Sequence, residues 1–116
     1  MANLKNTSEV IIKKSKFFGY LFELSDANEV KGILEELKKE HKKLTHLCYA
    51  YKVGSAQKYF DDGEPSGTAG RPIMNVIEKK NLDGVLICIV RFFGGIKLGA
   101  GGLVRAYNMA ASELFK

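Results

Sequence analysis

Apolar and polar positions alternate along two runs between Ser8 and Leu24. Val10 and Ile12 fall on one face of the first run, Lys14–Ser15–Lys16 interrupts, and the alternation resumes with Phe18, Tyr20 and Phe22 on one side. A period of two broken by a short polar segment predicts a β-hairpin. The preceding residues, Met1–Thr7, are polar and predict a frayed end. The period then changes. Val30, Ile33, Leu34 and Leu37 stand at i, i+3, i+4 and i+7 and form one apolar stripe, with lysines and glutamates around it. Asp26 and Glu29 have the spacing of a capping box, and Lys38–Lys43 suits the negative end of a helix dipole. Together they predict a helix over Asp26–His41.

His46–Val53 is rich in β-formers and predicts a strand, turned by Gly54–Ala56 into a short partner at Gln57–Phe60. Ile73–Lys80 has a helical pattern with Ile73, Val76 and Ile77 inward, and Pro72 fits its first turn. Asn81–Gly84 is a turn. Val85–Phe92 is apolar on both faces until Arg91, as a central strand covered on both sides would be. Ala100–Phe115 closes the chain as a helix with Leu103, Tyr107, Ala110 and Leu114 toward the core. The order ββαβ(β)αβα predicts an α+β domain: a small mixed sheet with helices packed on it in two layers.

At 116 residues the chain suits one domain with a single core. No apolar run reaches the roughly 18 residues that span a bilayer, and no signal-peptide pattern follows Met1, so a cytoplasmic protein without a membrane partner is expected. Cys48 and Cys88 lie inside apolar strands and are expected to be buried thiols. With His41 and His46 as the only histidines, no metal site and no cofactor is expected. The net charge is +5, and the excess lies in the first half, in Lys13, Lys14, Lys16, Lys38, Lys39, Lys42 and Lys43 among others. That balance is compatible with RNA or ribosome contact, and equally with a solvated surface.

Two glycine-rich segments carry the candidate chemistry. Asp61–Pro72 (DDGEPSGTAGRP) holds no aliphatic side chain larger than alanine and leads into a helix. Ser66 or Thr68 can cap that helix, Gly67 and Gly70 permit a sharp turn, and free N–H groups beside Arg71 would attract an anion. The same residues also suit a rigid turn with no ligand. It is neither a Walker loop nor a dinucleotide fingerprint. Asp61, Asp62 and Glu64 are read as acids that shape the loop. The second segment, Phe93–Gly102 (FGGIKLGAGG), is surrounded by Arg91, Lys97 and Arg105, which suit phosphate contact; the alternative is salt bridging to Asp61, Asp62 or Glu64. Tyr49, Tyr51, Phe60, Phe92 and Phe93 offer stacking surface or, more simply, core. His46 and Cys48 share a strand face, but a buried thiol beside a histidine is the commoner arrangement than a nucleophile–base pair.

HLCYAY (His46–Tyr51), YFDDGEPSGTAGRPI (Tyr59–Ile73) and VRFFGGIKLGAGGLVRAY (Val90–Tyr107), with KKSKFFGY (Lys13–Tyr20), resemble the signature blocks of the YigZ/IMPACT family, the uncharacterised protein family 0029 N-terminal domain. The resemblance covers nearly the whole chain. It implies a fold like the second domain of ribosomal protein S5, a sheet with helices on one face and a left-handed βαβ crossover. It also implies that residues 1–116 are one domain, without the ferredoxin-like second domain of bacterial relatives.

For function, the resemblance implies a role in translation or its regulation. One reading is a non-enzymatic domain that contacts RNA or the ribosome through Ser66, Gly67, Thr68, Gly70, Arg71, Arg91, Lys97 and Arg105. A second is a protein-interaction domain in translational control. A third, a hydrolase, is implied by the proline-dipeptidase label of some relatives, but neither a metal-ligand set nor a nucleophile elbow supports it.

Overall fold

In the computed structural model, which describes residues 3–116, five strands form one sheet in the order β1-β2-β5-β3-β4. The strands are β1 (Leu4–Ile12), β2 (Ser15–Glu23), β3 (His46–Val53), β4 (Ala56–Phe60) and β5 (Val85–Phe92); the helices are α1 (Val30–Glu40), α2 (Gly70–Lys79) and α3 (Gly99–Glu113). Every neighbouring pair is antiparallel, so the sheet is not mixed as the helical crossovers suggest. The reason is β5. This last strand inserts between β2 and β3, the two strands that α1 connects, and separates them. It takes the centre because it is apolar on both faces: Leu86, Cys88 and Val90 point one way, Ile87 and Ile89 the other, and all five are fully buried.

α2 and α3 pack together on one face, against Phe17, Cys48, Ala50, Ile87 and Ile89. They form the helical layer of the α+β fold. α1 lies on the opposite face and adds a third layer, its stripe Val30, Ile33 and Leu37 covering Tyr20, Phe22, Leu47 and Val90. Each fully buried aliphatic side chain contributes about 1.5–3 kcal/mol. The capping box forms: the Asp26 carboxylate accepts from Asn28 N at 2.8 Å, and Glu29 Oε1 accepts from Asp26 N at 2.8 Å.

The frayed end expected over Met1–Thr7 is not found among the described residues: the Asn3 carbonyl accepts from Glu23 N at 2.9 Å and from Leu4 the chain is strand β1, while Met1 and Ala2 lie outside the described residues. Polar side chains make this possible. Asn6 Nδ2 donates to the Leu114 carbonyl at 2.7 Å, and Ser8 Oγ to the Ala110 carbonyl at 2.8 Å. These carbonyls belong to the last turn of α3 and to Leu114, which caps it, where intrahelical donors run out. The hairpin turn falls on Lys13 and Lys14, one residue earlier than the sequence pattern suggests, and Ser15 and Lys16 already belong to β2. Both turn lysines have positive φ (46° and 68°), which matches the twist of the flanking strands but costs about 1–2 kcal/mol per L-residue.

Candidate binding surface

The first glycine segment is organised by its own acids. Asp61 Oδ2 accepts from Gly67 N at 2.9 Å, and Oδ1 accepts from Ala69 N at 3.1 Å and Gly70 N at 2.8 Å. The anion held at the start of α2 is therefore this carboxylate. It caps the helix from eight residues upstream and lets α2 begin at Gly70, one turn before the first apolar residue. Neither Ser66 nor Thr68 caps it: Thr68 is buried and its hydroxyl donates to the Pro65 carbonyl, while Ser66 is exposed. Gly70 has a steric role as well, since a Cβ there would stand 2.6 Å from Phe60 N. Asp62 reaches the sheet, its Oδ2 accepting from Leu47 N at 2.7 Å.

Glu64 goes deeper. Its carboxylate is buried and accepts from Arg91 Nη1 at 2.7 and 2.9 Å and from the Tyr107 hydroxyl at 2.5 Å. His46 completes the shell. Its Nδ1 donates to the Asp62 carbonyl at 2.7 Å, and its Nε2 lies 3.4 Å from Glu64 Oε1. One acid thus ties the loop to β5, α3 and β3. Tyr107 reads as core on α3, but a buried phenol needs a hydrogen-bond partner, and that requirement is the signal that points toward Glu64.

Arg91 is 5% exposed and does not belong to an accessible basic cluster. Besides Glu64, its guanidinium reaches Ser15 Oγ at 3.3 Å and lies between the rings of Phe17 and Phe93, 5.5 and 5.6 Å from their centroids. Its role is to join the end of β5 to the first loop. The other basic residues are exposed and separate from this network. Arg71 pairs with Glu78 at 3.0 Å and stacks over Tyr59. Among the described residues, neither Lys97 nor Arg105 has a carboxylate within ion-pair distance.

Cys48 and Cys88 are fully buried free thiols. Cys48 donates to the Asp61 carbonyl at 3.1 Å rather than to His46. Burial, followed by the nearby carboxylates of Glu64, Asp62 and Asp61, pushes its pKa far up, which suits a structural thiol and not a nucleophile. Burial also pushes up the Tyr107 phenol, with Cys48 and Glu64 adding to it. Among the described residues no group of three or more histidines, cysteines and acids is placed to hold a metal ion, and no helix is long and apolar enough to cross a membrane.

An antiparallel sheet with a two-helix layer, joined through a buried acid to two glycine-rich segments, defines an α+β domain with a rigid loop surface. The Impact N-terminal domain family matches residues 13–115, and the chain belongs to the IMPACT family. The IMPACT family member YvyE of Bacillus subtilis is 46% identical over 108 residues, covering 90% of this chain and 50% of that protein. YigZ of Escherichia coli is 34% identical over 110 residues, 90% of this chain and 54% of its own length. Protein IMPACT of Oryctolagus cuniculus is 31% identical over 109 residues, 88% of this chain and 34% of its own length. The chain thus spans about half the length of the bacterial relatives it matches. A crystal structure of a hypothetical protein superposes with a TM-score of 0.91 at 33% identity, over 95% of this chain and 56% of the other. The two-domain translational regulator Yih1 shares the fold, with a TM-score of 0.62 at 19% identity over 98% of this chain and 46% of that one.

Proposed function

We propose that this domain acts by binding rather than by catalysis, in translation or its regulation, and that it contacts RNA or the ribosome. One observation carries the reading. Lys97 and Arg105 are exposed and, among the described residues, unpaired, and they sit on the segment that the Glu64–Arg91–Tyr107 network secures to the sheet. Exposed cations without internal carboxylate partners suit phosphate oxygens, because no ion pair has to be broken when the partner arrives. Arg71 extends the basic character beside α2. The Ser66–Gly70 backbone contributes less to a partner, since three of its N–H groups already face Asp61. The description of Yih1 as a translational regulator agrees with the setting.

A protein partner in translational control is the second reading, favoured by exposed apolar side chains in and beyond the same segment, Ile96 and Val104. Co-sedimentation with ribosomes separates the two. Association that is lost at about 200 mM salt or after nuclease treatment supports RNA contact. Association with the purified particle that survives both treatments favours a protein contact.

A further inference from the structure

At the same end of β5 as Arg91, but on the face of the sheet that Phe18 and Phe92 share with α1, a groove of ≈ 460 Å³ is lined by Lys14, Lys16, Phe18, His41, Phe92 and Phe93. Its composition is unusual for this molecule: four rings, two cations and no acid. A comparable groove against α1, lined in part by Tyr49, Tyr51 and Lys58, also contains Glu35. We propose that the Lys14–Phe93 groove binds a single-stranded segment of RNA, with one base stacked on the Phe93 ring and the flanking phosphates at Lys14 and Lys16. The proposal rests on the RNA reading above and names the place and the form of the RNA.

Three features argue for it. Phe93 is 47% exposed, yet its backbone is fixed. Its N–H donates to Thr45 Oγ1 at 3.0 Å, and the next N–H, of Gly94, donates to Ser15 Oγ at 3.2 Å. The Arg91 guanidinium lies over the ring at 5.6 Å and is itself held by Glu64. A large apolar ring left facing water but positioned from below is a stacking platform that loses little freedom on binding.

The remaining rings form a fixed wall. His41 and Phe18 stack at 6.0 Å with an interplanar angle of 17°, Phe92 meets both edge-on at 5.8 Å, and the Tyr20 hydroxyl holds His41 Nε2 at 2.6 Å.

The cations are placed by the hairpin. Lys14 occupies a left-handed position where glycine or asparagine is ordinarily favoured, and Gly94 packs so tightly beneath it that a Cβ would lie 2.1 Å from the Lys14 carbonyl carbon. The turn and the Phe93 loop are therefore one unit, and lysine stands where the fold alone would favour another residue. An aromatic platform flanked by cations suits unpaired bases; in an A-form duplex the base faces are stacked inside.

The test is fluorescence anisotropy with a labelled 12-nucleotide oligouridine and a 12-base-pair RNA duplex, using the chain itself, Phe93→Leu and Lys14→Ala/Lys16→Ala. Circular dichroism and thermal melting first establish that each variant folds. The proposal expects the single strand to bind more tightly than the duplex, and Phe93→Leu to weaken it roughly tenfold without changing the salt slope. The double lysine variant should flatten that slope by about 1.4, the contribution of two phosphates on a single strand. Single-strand binding that Phe93→Leu leaves unchanged overturns this proposal while the broader RNA reading stands, as does duplex binding of equal strength. An unmodified chain that binds neither RNA contradicts both.

Discussion

Glu64 and Arg91 form a buried ion pair in which Nη1 of the arginine donates to both carboxylate oxygens, at 2.7 and 2.9 Å. The acid comes from the first glycine segment and the arginine from the next-to-last position of the central strand β5, just before the second. Their contact converts two loops, separated by 27 positions at this pair, into one surface. The Tyr107 hydroxyl adds a third hydrogen bond to the same carboxylate and brings in α3.

Removing one partner leaves the other charged and buried. Glu64→Ala and Arg91→Ala are each expected to destabilise the domain by about 3–5 kcal/mol. Glu64→Leu/Arg91→Met should cost less than the sum of the corresponding single changes, because no uncompensated charge remains and the buried Arg91 Nε, which has no hydrogen-bond partner, disappears. Urea unfolding followed by circular dichroism measures all of these. Additive losses would show that the two side chains act independently.

Asp61 should behave as an internal substitute for an external anion. Asp61→Ala is expected to cost about 1–3 kcal/mol through the N–H groups of Gly67, Ala69 and Gly70 that lose their acceptor. Inorganic phosphate should then raise the melting temperature of the variant more than that of the unmodified chain, because the vacated donors face the start of α2. Equal effects of phosphate on both proteins would contradict this role.

The α+β class, the three helices and the central position of Val85–Phe92 follow from hydrophobic period, because each element buries one face, or for β5 both faces, against the rest. β1 is different. Its first residues are polar, and they form a strand because Asn6 and Ser8 satisfy carbonyls of a helix more than 100 positions away in the chain. No local pattern records such a contact. Ser8→Ala is accordingly expected to cost about 0.5–1.5 kcal/mol and to speed amide exchange along Leu4–Ser8.

The same distinction applies to the surface. Glycines, acids and arginines mark the loops, but residue type does not tell an arginine that meets a partner from one that is buried. Arg91 ends an apolar strand, and the chain alone leaves open both phosphate contact and a salt bridge to Asp61, Asp62 or Glu64; in the fold Glu64 pairs with it and Phe17 and Phe93 enclose it. Lys97 and Arg105 have no such neighbours among the described residues and stay exposed. Ring stacking and the Thr45 and Ser15 contacts that set Phe93 in place depend on the folded sheet.

The thiols and the buried phenol give a stability profile with a definite sign. Burial raises Cys48 and Cys88 well above the ordinary 9.0 and Tyr107 above 10.0, so the folded chain keeps protons that the unfolded chain releases. Stability from these groups is fully present below the unfolded values and is lost as the pH rises past about 9, by up to about 1.4 kcal/mol per group for each pH unit. Thermal melts between about pH 8 and 11 should show the decline, and Cys88→Ala should make it shallower. Thiol reagents should label neither cysteine until the chain unfolds.

Phosphate contact by Lys97 and Arg105 is read most plainly from the affinity for labelled single-stranded RNA between about 50 and 200 mM salt, for the unmodified chain and for Lys97→Ala/Arg105→Ala. Binding is expected to weaken steeply with salt, and the variant to fold normally, bind more weakly and show a log–log slope flatter by about 1.4. Failure to bind RNA at the lower salt, or binding that ignores both salt and the two substitutions, would contradict it.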